Sequence, residues 1–125
     1  MRHTTLLPML LALTSCAAAS GEWAANCTFQ ASGYTVSFDY TMDLEQKGKE
    51  VSGVCTITQS GYLITGVASG TAKGNDLEVT CLFSLSGYAL PLTITGSVEK
   101  GDLAGVCTTQ GSGMTIIGAG TMTGQ

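Results

Sequence analysis

Beyond residue 22, apolar and polar side chains alternate with a period of two along most of the chain. Val36, Phe38, Tyr40, Met42 and Leu44 alternate with Ser37, Asp39, Thr41 and Asp43. Leu77, Val79, Cys81, Phe83 and Leu85 alternate in the same way with Glu78, Thr80, Leu82 and Ser84. This is the period of a strand with one buried and one wet face, as in an antiparallel sheet. No stretch carries the helical period.

Two kinds of turn punctuate the pattern. Ser-Gly stands at 32–33, 60–61, 86–87 and 112–113, and Lys-Gly at 47–48, 73–74 and 100–101. Glycine at both places supplies the positive φ that tight hairpins demand. The chain therefore reads as four hairpin repeats of about 27 residues, each with a cysteine five positions before its Ser-Gly. The strands are predicted near 23–31, 34–44, 51–59, 62–71, 77–85, 88–97, 103–110 and 114–122. Val51-Ser52-Gly53-Val54-Cys55-Thr56 matches Leu103-Ala104-Gly105-Val106-Cys107-Thr108, the mark of a duplicated pair of hairpins. Successive hairpins pair in sequence as a meander, and eight strands can close and so remove both sheet edges. The predicted fold is all-β: an eight-stranded antiparallel meander closed into a small barrel. The rival, a β-solenoid with 27-residue coils, leaves the turn glycines at both ends of every unit without a role.

Cys27, Cys55, Cys81 and Cys107 all fall on odd-numbered strands and on the apolar face, so they belong to one interior layer. Two disulfides are expected rather than a four-thiolate metal site, because no Cys-x-x-Cys spacing arranges ligands beforehand. Geometry resists this in a round barrel. Alternate strands lie roughly 9–10 Å apart, whereas bridged Cα atoms lie roughly 4.4–6.8 Å apart. The barrel must then be flattened or sharply bent, and Gly66, Gly96, Gly118 and Gly120 on even strands could allow it. The duplication favours Cys27–Cys55 with Cys81–Cys107, and leaves Cys27–Cys107 with Cys55–Cys81 as the alternative.

The N-terminus reads as a processing signal over residues 1–15. Positive charge at Met1-Arg2-His3 is followed by a short apolar run, Leu6 to Leu13, too short to span a bilayer. Leu13-Thr14-Ser15-Cys16 resembles the lipobox of bacterial lipoproteins. That resemblance implies a lipidated Cys16 as first mature residue, a short tether over 16–22, and an outer-membrane lipoprotein facing the periplasm or the cell surface. Cleavage after Ala17-Ala18-Ala19, releasing a soluble secreted protein, is the alternative. Over residues 23–125, hairpin rhythm and length resemble small up-and-down barrels of the lipocalin–avidin kind. This resemblance implies an interior able to hold a small apolar ligand.

Either cleavage leaves about 106 to 110 residues, one domain's worth. Nine acids then face four lysines, which argues against nucleic acid and gives no help at an anionic membrane surface. The only histidine, His3, and the only arginine, Arg2, leave with the signal. Imidazole-based catalysis and histidine-ligated metal sites are thereby excluded, and no cofactor or metal is expected. Only carboxylate chemistry remains. Asp39 and Asp43, four strand residues apart, lie about 13 Å from each other, too far for a glycosidase pair.

The expected function is therefore non-enzymatic. The first reading is an exported, lipid-anchored binding protein with a small apolar ligand in the barrel. The second is an interaction protein with a solid core, such as an inhibitor of a secreted hydrolase or an envelope component. Tyr34, Tyr62, Tyr88 and Met114 follow the four Ser-Gly turns and form a ring at one end. They read as an aromatic plug or, failing that, as ligand or rim contacts. Leu63, Val67, Leu82, Pro91 and Ile117 point outward and could form a contact patch.

Overall fold

The computed structural model describes residues 18–125 except 60 and 112. The signal segment and Cys16 therefore lie outside the described residues, as do the serines of the second and fourth turns. Eight strands follow in order: β1 (Gly21–Ala31), β2 (Tyr34–Lys47), β3 (Glu50–Gln59), β4 (Tyr62–Lys73), β5 (Asp76–Leu85), β6 (Tyr88–Glu99), β7 (Asp102–Gly111) and β8 (Met114–Gly124). Each pairs antiparallel with the next, and β1 pairs with β8 to close the barrel. The meander, the closure and the four hairpins are as the alternation predicts.

The turns are two-residue loops throughout. Ser32-Gly33 and Ser86-Gly87 both have positive φ at each position, the type I′ geometry whose twist matches that of paired strands. At the other end the expected Lys-Gly register holds only for Lys100-Gly101. Lys47 pairs with Glu50 and Lys73 with Asp76, so these lysines end strands and the loops are Gly48-Lys49 and Gly74-Asn75. β1 begins at Gly21, two residues ahead of the strand start predicted at 23.

The barrel has two unlike ends: a tip, where the Ser-Gly turns lie, and a base, where the lysine-bearing turns lie. At the base each turn is sewn to the following hairpin. Lys49, Asn75 and Gly101 accept backbone hydrogen bonds at 2.8–2.9 Å from Ala72, Val98 and Gly124. Trp23 fills the base from inside, 4% exposed, and its indole N–H donates to the Ala19 carbonyl at 2.9 Å. Ala19 and Ser20 are held to Gln46 of β2 in turn, so the chain enters at the base. Trp23→Phe keeps most of the packing but strands the Ala19 carbonyl. A loss of about 1 kcal/mol in urea unfolding is expected, with faster proteolysis ahead of Gly21. Unchanged stability would mean that the bond does not hold the segment.

Both disulfides form, with the pairing that the duplication argued against. Cys27 bridges Cys107 and Cys55 bridges Cys81, with Cα separations of 5.7 and 6.1 Å. These join β1 to β7 across β8, and β3 to β5 across β4, pinching the barrel on opposite sides. What lies on the crossed strand explains the choice. On β8 the cross-strand partners of Cys27 and Cys107 are Gly120 and Gly118. On β4 the partners of Cys55 and Cys81 are Gly66 and Ala68. Bridging Cys27 to Cys55 would instead cross β2 above Phe38 and Met42, with Tyr40 between them. Bridging Cys81 to Cys107 would cross β6 above Leu92 and Ile94. Those side chains, Phe38 partly buried and the others buried, occupy the volume the sulfurs would need. Two interior disulfides fit an oxidising compartment.

The interior is closely packed around them. All four cysteines, Phe83, Leu92 and Ile94 are wholly buried. Tyr40 of β2 meets Phe83 of β5 edge-on, with ring centroids 5.7 Å apart. The four strand glycines bring neighbours close rather than opening space. A methyl on Gly66 would lie 2.6 Å from the Leu82 carbonyl oxygen, and one on Gly120 3.2 Å from Ile94.

Tyr40 also makes the core sensitive to alkali. Its O–H donates to the disulfide sulfur of Cys27 at 3.5 Å, and burial pushes its phenol well above the usual tyrosine range. A folded-state affinity for the proton above that of the unfolded chain stabilises fully below the ordinary pKa of about 10. That contribution is lost as pH rises beyond it. The unfolding free energy from urea titration is expected to fall between pH 9 and pH 11, by up to ~1.4 kcal/mol per pH unit above 10. Tyr40→Phe should flatten that fall. An equally steep fall in the variant would assign it elsewhere.

Candidate functional site

Tyr34, Tyr62, Tyr88 and Met114 are the first residues of β2, β4, β6 and β8. Each pairs across its turn with the last residue of the preceding strand: Ala31, Gln59, Leu85 and Gly111. The ring is therefore real as an arrangement, but it is not a plug. The four side chains are 65–77% exposed. The end is sealed one level deeper by Phe29 against Phe38, centroids 6.3 Å apart, and by Phe83.

The reason lies in the seams between hairpins. Within each hairpin, pairing runs to the turn. Between hairpins it stops short of the tip, at Thr41↔Thr56, Gly66↔Phe83, Thr93↔Thr108 and Thr28↔Ala119. The tip thus ends in four separate hairpin ends, each carrying its Tyr or Met outward. Between two of them, a surface cleft of about 140 Å³ is lined by Ser37, Phe38, Asp39, Ile57 and Thr58. Val36, Leu63, Ile116 and Ile117 add exposed apolar surface at the same end.

Charge is segregated along the barrel axis, a feature the alternation argument did not expose. The segments between each cysteine and its hairpin partner are 27–38, 55–66, 81–92 and 107–118. None of them contains an ionisable Asp, Glu, Lys, Arg or His. All nine acids and all four lysines of the barrel lie on the base side of that layer, with Asp39 one rung below it. The signal was present in the sequence, but it appears only once each hairpin is folded at its Ser-Gly and the four tips are superposed. The one ion pair found among the described residues, Lys47–Glu45 at 3.8 Å, is exposed and contributes little.

No family model matches the chain, and no curated protein or solved structure matches it either.

The expected outward patch divides in two. Leu63 and Ile117 belong to the tip. Val67, Leu82 and Pro91 are successive cross-strand partners on β4, β5 and β6, and Val54 of β3, not singled out from sequence, extends the row. The corresponding row of the duplicated half is Val106, Ala119, Thr28 and Ser37. There Thr28 and Ser37 join Asn26 and Asp39 in a hydrogen-bonded surface network, with Asn26 donating to Asp39 at 2.7 Å. That bonding occupies Asp39 and solvates an outer wall. Cys16 cannot be placed, being outside the described residues, but the chain leading from it enters at the base through Ala18 and Ala19.

Proposed function

We propose that this chain is an exported, non-enzymatic interaction protein with a solid core, tethered at its base through a lipidated Cys16 and acting through its tip. The observation that carries this reading is the contrast between interior and tip. Disulfides, strand glycines and cross-barrel pairs such as Tyr40 with Phe83 fill the space a carried ligand would need. Among the described residues, eight of the twelve large apolar side chains left in contact with water stand at the far end from the entering chain, and the other four, Val54, Val67, Leu82 and Val106, lie on the outer wall beside the cysteine layer. Exposed apolar groups clustered this way mark contact surfaces.

Tyr34, Tyr62, Tyr88 and Met114 are the contact residues of this reading, and the base carries the acidic charge that keeps the protein soluble. The carrier reading is the less supported of the two.

Intact mass of the protein purified from its native envelope, measured first under native and then under denaturing conditions, tests the choice. The expected result is no small-molecule adduct, with four hydrogens missing for two disulfides and a diacylglyceryl increment on Cys16. An apolar adduct released on denaturation would reinstate the carrier.

A further inference from the structure

We propose that the tip is a bilayer-docking surface, with Tyr34, Tyr62, Tyr88 and Met114 seated at the headgroup level of a lipid membrane. The inference rests on the reading above that the tip is the contact surface, and it names what is contacted. Four observations converge on lipid.

The apolar groups stand on all four hairpin ends, at one end of the barrel, and surround its axis. A protein partner of ordinary shape engages one side of such a crown, whereas a bilayer conforms to all four ends at once. Second, the four 12-residue segments that build this half carry no charge. Protein contacts are usually rimmed by polar and charged groups, while interfacial insertion penalises them. Third, three of the four groups are tyrosines, whose apolar ring and polar hydroxyl suit the boundary between acyl chains and water. Fourth, insertion has a built-in depth limit. Below the tip the outer wall carries threonine rows, Thr56 with Thr65 and Thr80 with Thr93 and Thr108, beside the exposed apolar row of Val54, Val67 and Leu82, and beyond the cysteine layer it bears all nine acids and four lysines of the barrel. That charged lower half is unlike the apolar outer band of a membrane-spanning barrel, so the molecule docks and does not cross.

The acids meanwhile sit in the opposite half, away from lipid phosphates. Binding should therefore be driven by apolar burial, occur on zwitterionic lipid, and respond little to salt. In a chain anchored through Cys16 at the base, the lipid met by the tip belongs to a facing bilayer.

The test uses the full chain with Cys16→Ser, which removes any acyl anchor, and Tyr62→Trp as a reporter at the tip. Trp23 at the base serves as the internal control, read in the same chain without the reporter. Vesicles of phosphatidylcholine with brominated acyl chains are expected to blue-shift and quench the tip reporter equally at about 0.1 and 1 M salt, leaving Trp23 emission unchanged. Adding Tyr34→Ser, Tyr88→Ser and Met114→Ser should weaken vesicle partitioning at least about tenfold. All three side chains are exposed, so both disulfides and the strand signal in circular dichroism should persist.

Failure of the reporter to respond to either zwitterionic or anionic vesicles would overturn the proposal, even if the tip then proved to capture a protein. Equal partitioning of the serine variant, or quenching of Trp23, would overturn it too, by placing the lipid contact in the N-terminal segment. None of these outcomes alters the mass measurement above, so the solid-core reading stands or falls separately.

Discussion

Gly118→Val is expected to prevent the oxidised barrel from forming, and Gly66→Val to do nearly the same. At Gly118 a Cβ would run into the Thr28 carbonyl oxygen and come within 2.7 Å of the Phe29 ring. At Gly66 it would meet the Leu82 carbonyl oxygen at 2.6 Å and Phe83 at 2.9 Å. Overpacking a core typically costs ~1–3 kcal/mol where side chains can move aside. Here the obstacle is the backbone of the next strand, held by ladder pairing and a nearby disulfide, so the upper end of that range or beyond is expected. Against a typical total stability of ~5–15 kcal/mol, that is enough to lose the fold in a domain of this size. The check is the yield of protein with both disulfides and its urea midpoint, beside Ala119→Val on the outer face of the same strand as control. Ala119→Val should stay near the parent. A folded Gly118→Val with unchanged midpoint would show that the barrel has room there, and would return the interior to the list of candidate ligand sites.

The second large effect concerns the two staples, which should not be equivalent. Cys27–Cys107 closes a sequence separation of 80 and Cys55–Cys81 one of 26. In the chain-entropy description these loops correspond to about 4.5 and about 3.5 kcal/mol of constraint on the unfolded chain. Cys27→Ala with Cys107→Ala should therefore destabilise by about 1 kcal/mol more than Cys55→Ala with Cys81→Ala. The first bridge also spans the seam between β1 and β8, where the first and last strands meet to close the barrel. Its removal should expose that seam to hydrogen exchange ahead of the others. Equal urea midpoints for the two double variants would argue that native strain or residual structure, not loop length, sets the contribution of each bridge.

Much of the fold was legible in the sequence because its physics is local. A period of two fixes which side chains face inward, and Tyr40, Met42, Leu44, Leu77, Val79 and Phe83 are buried as the alternation requires. Ser-Gly fixes where each hairpin turns, and the even strands begin at Tyr34, Tyr62, Tyr88 and Met114 as predicted. The lysine-bearing turns were less legible. A lysine beside a glycine can end a strand or start a loop, and cross-strand pairing of Lys47 with Glu50 decides it.

The candidate site divides along the same line. The sequence by itself determined that four cysteines share an inner layer, that an aromatic ring follows the turns, and that histidine and arginine chemistry is absent from the barrel. Disulfide partners and the exposure of the ring were decided by tertiary structure alone. Partner choice depends on which strand lies between two cysteines. Repeat symmetry favoured neighbours in sequence, but Phe38, Tyr40 and Met42 fill the way across β2, and only the small residues of β4 and β8 leave room for sulfur. Exposure of the ring depends on where the seams between hairpins stop. Seams are contacts between residues distant along the chain, and the period-two pattern within a strand carries no record of them.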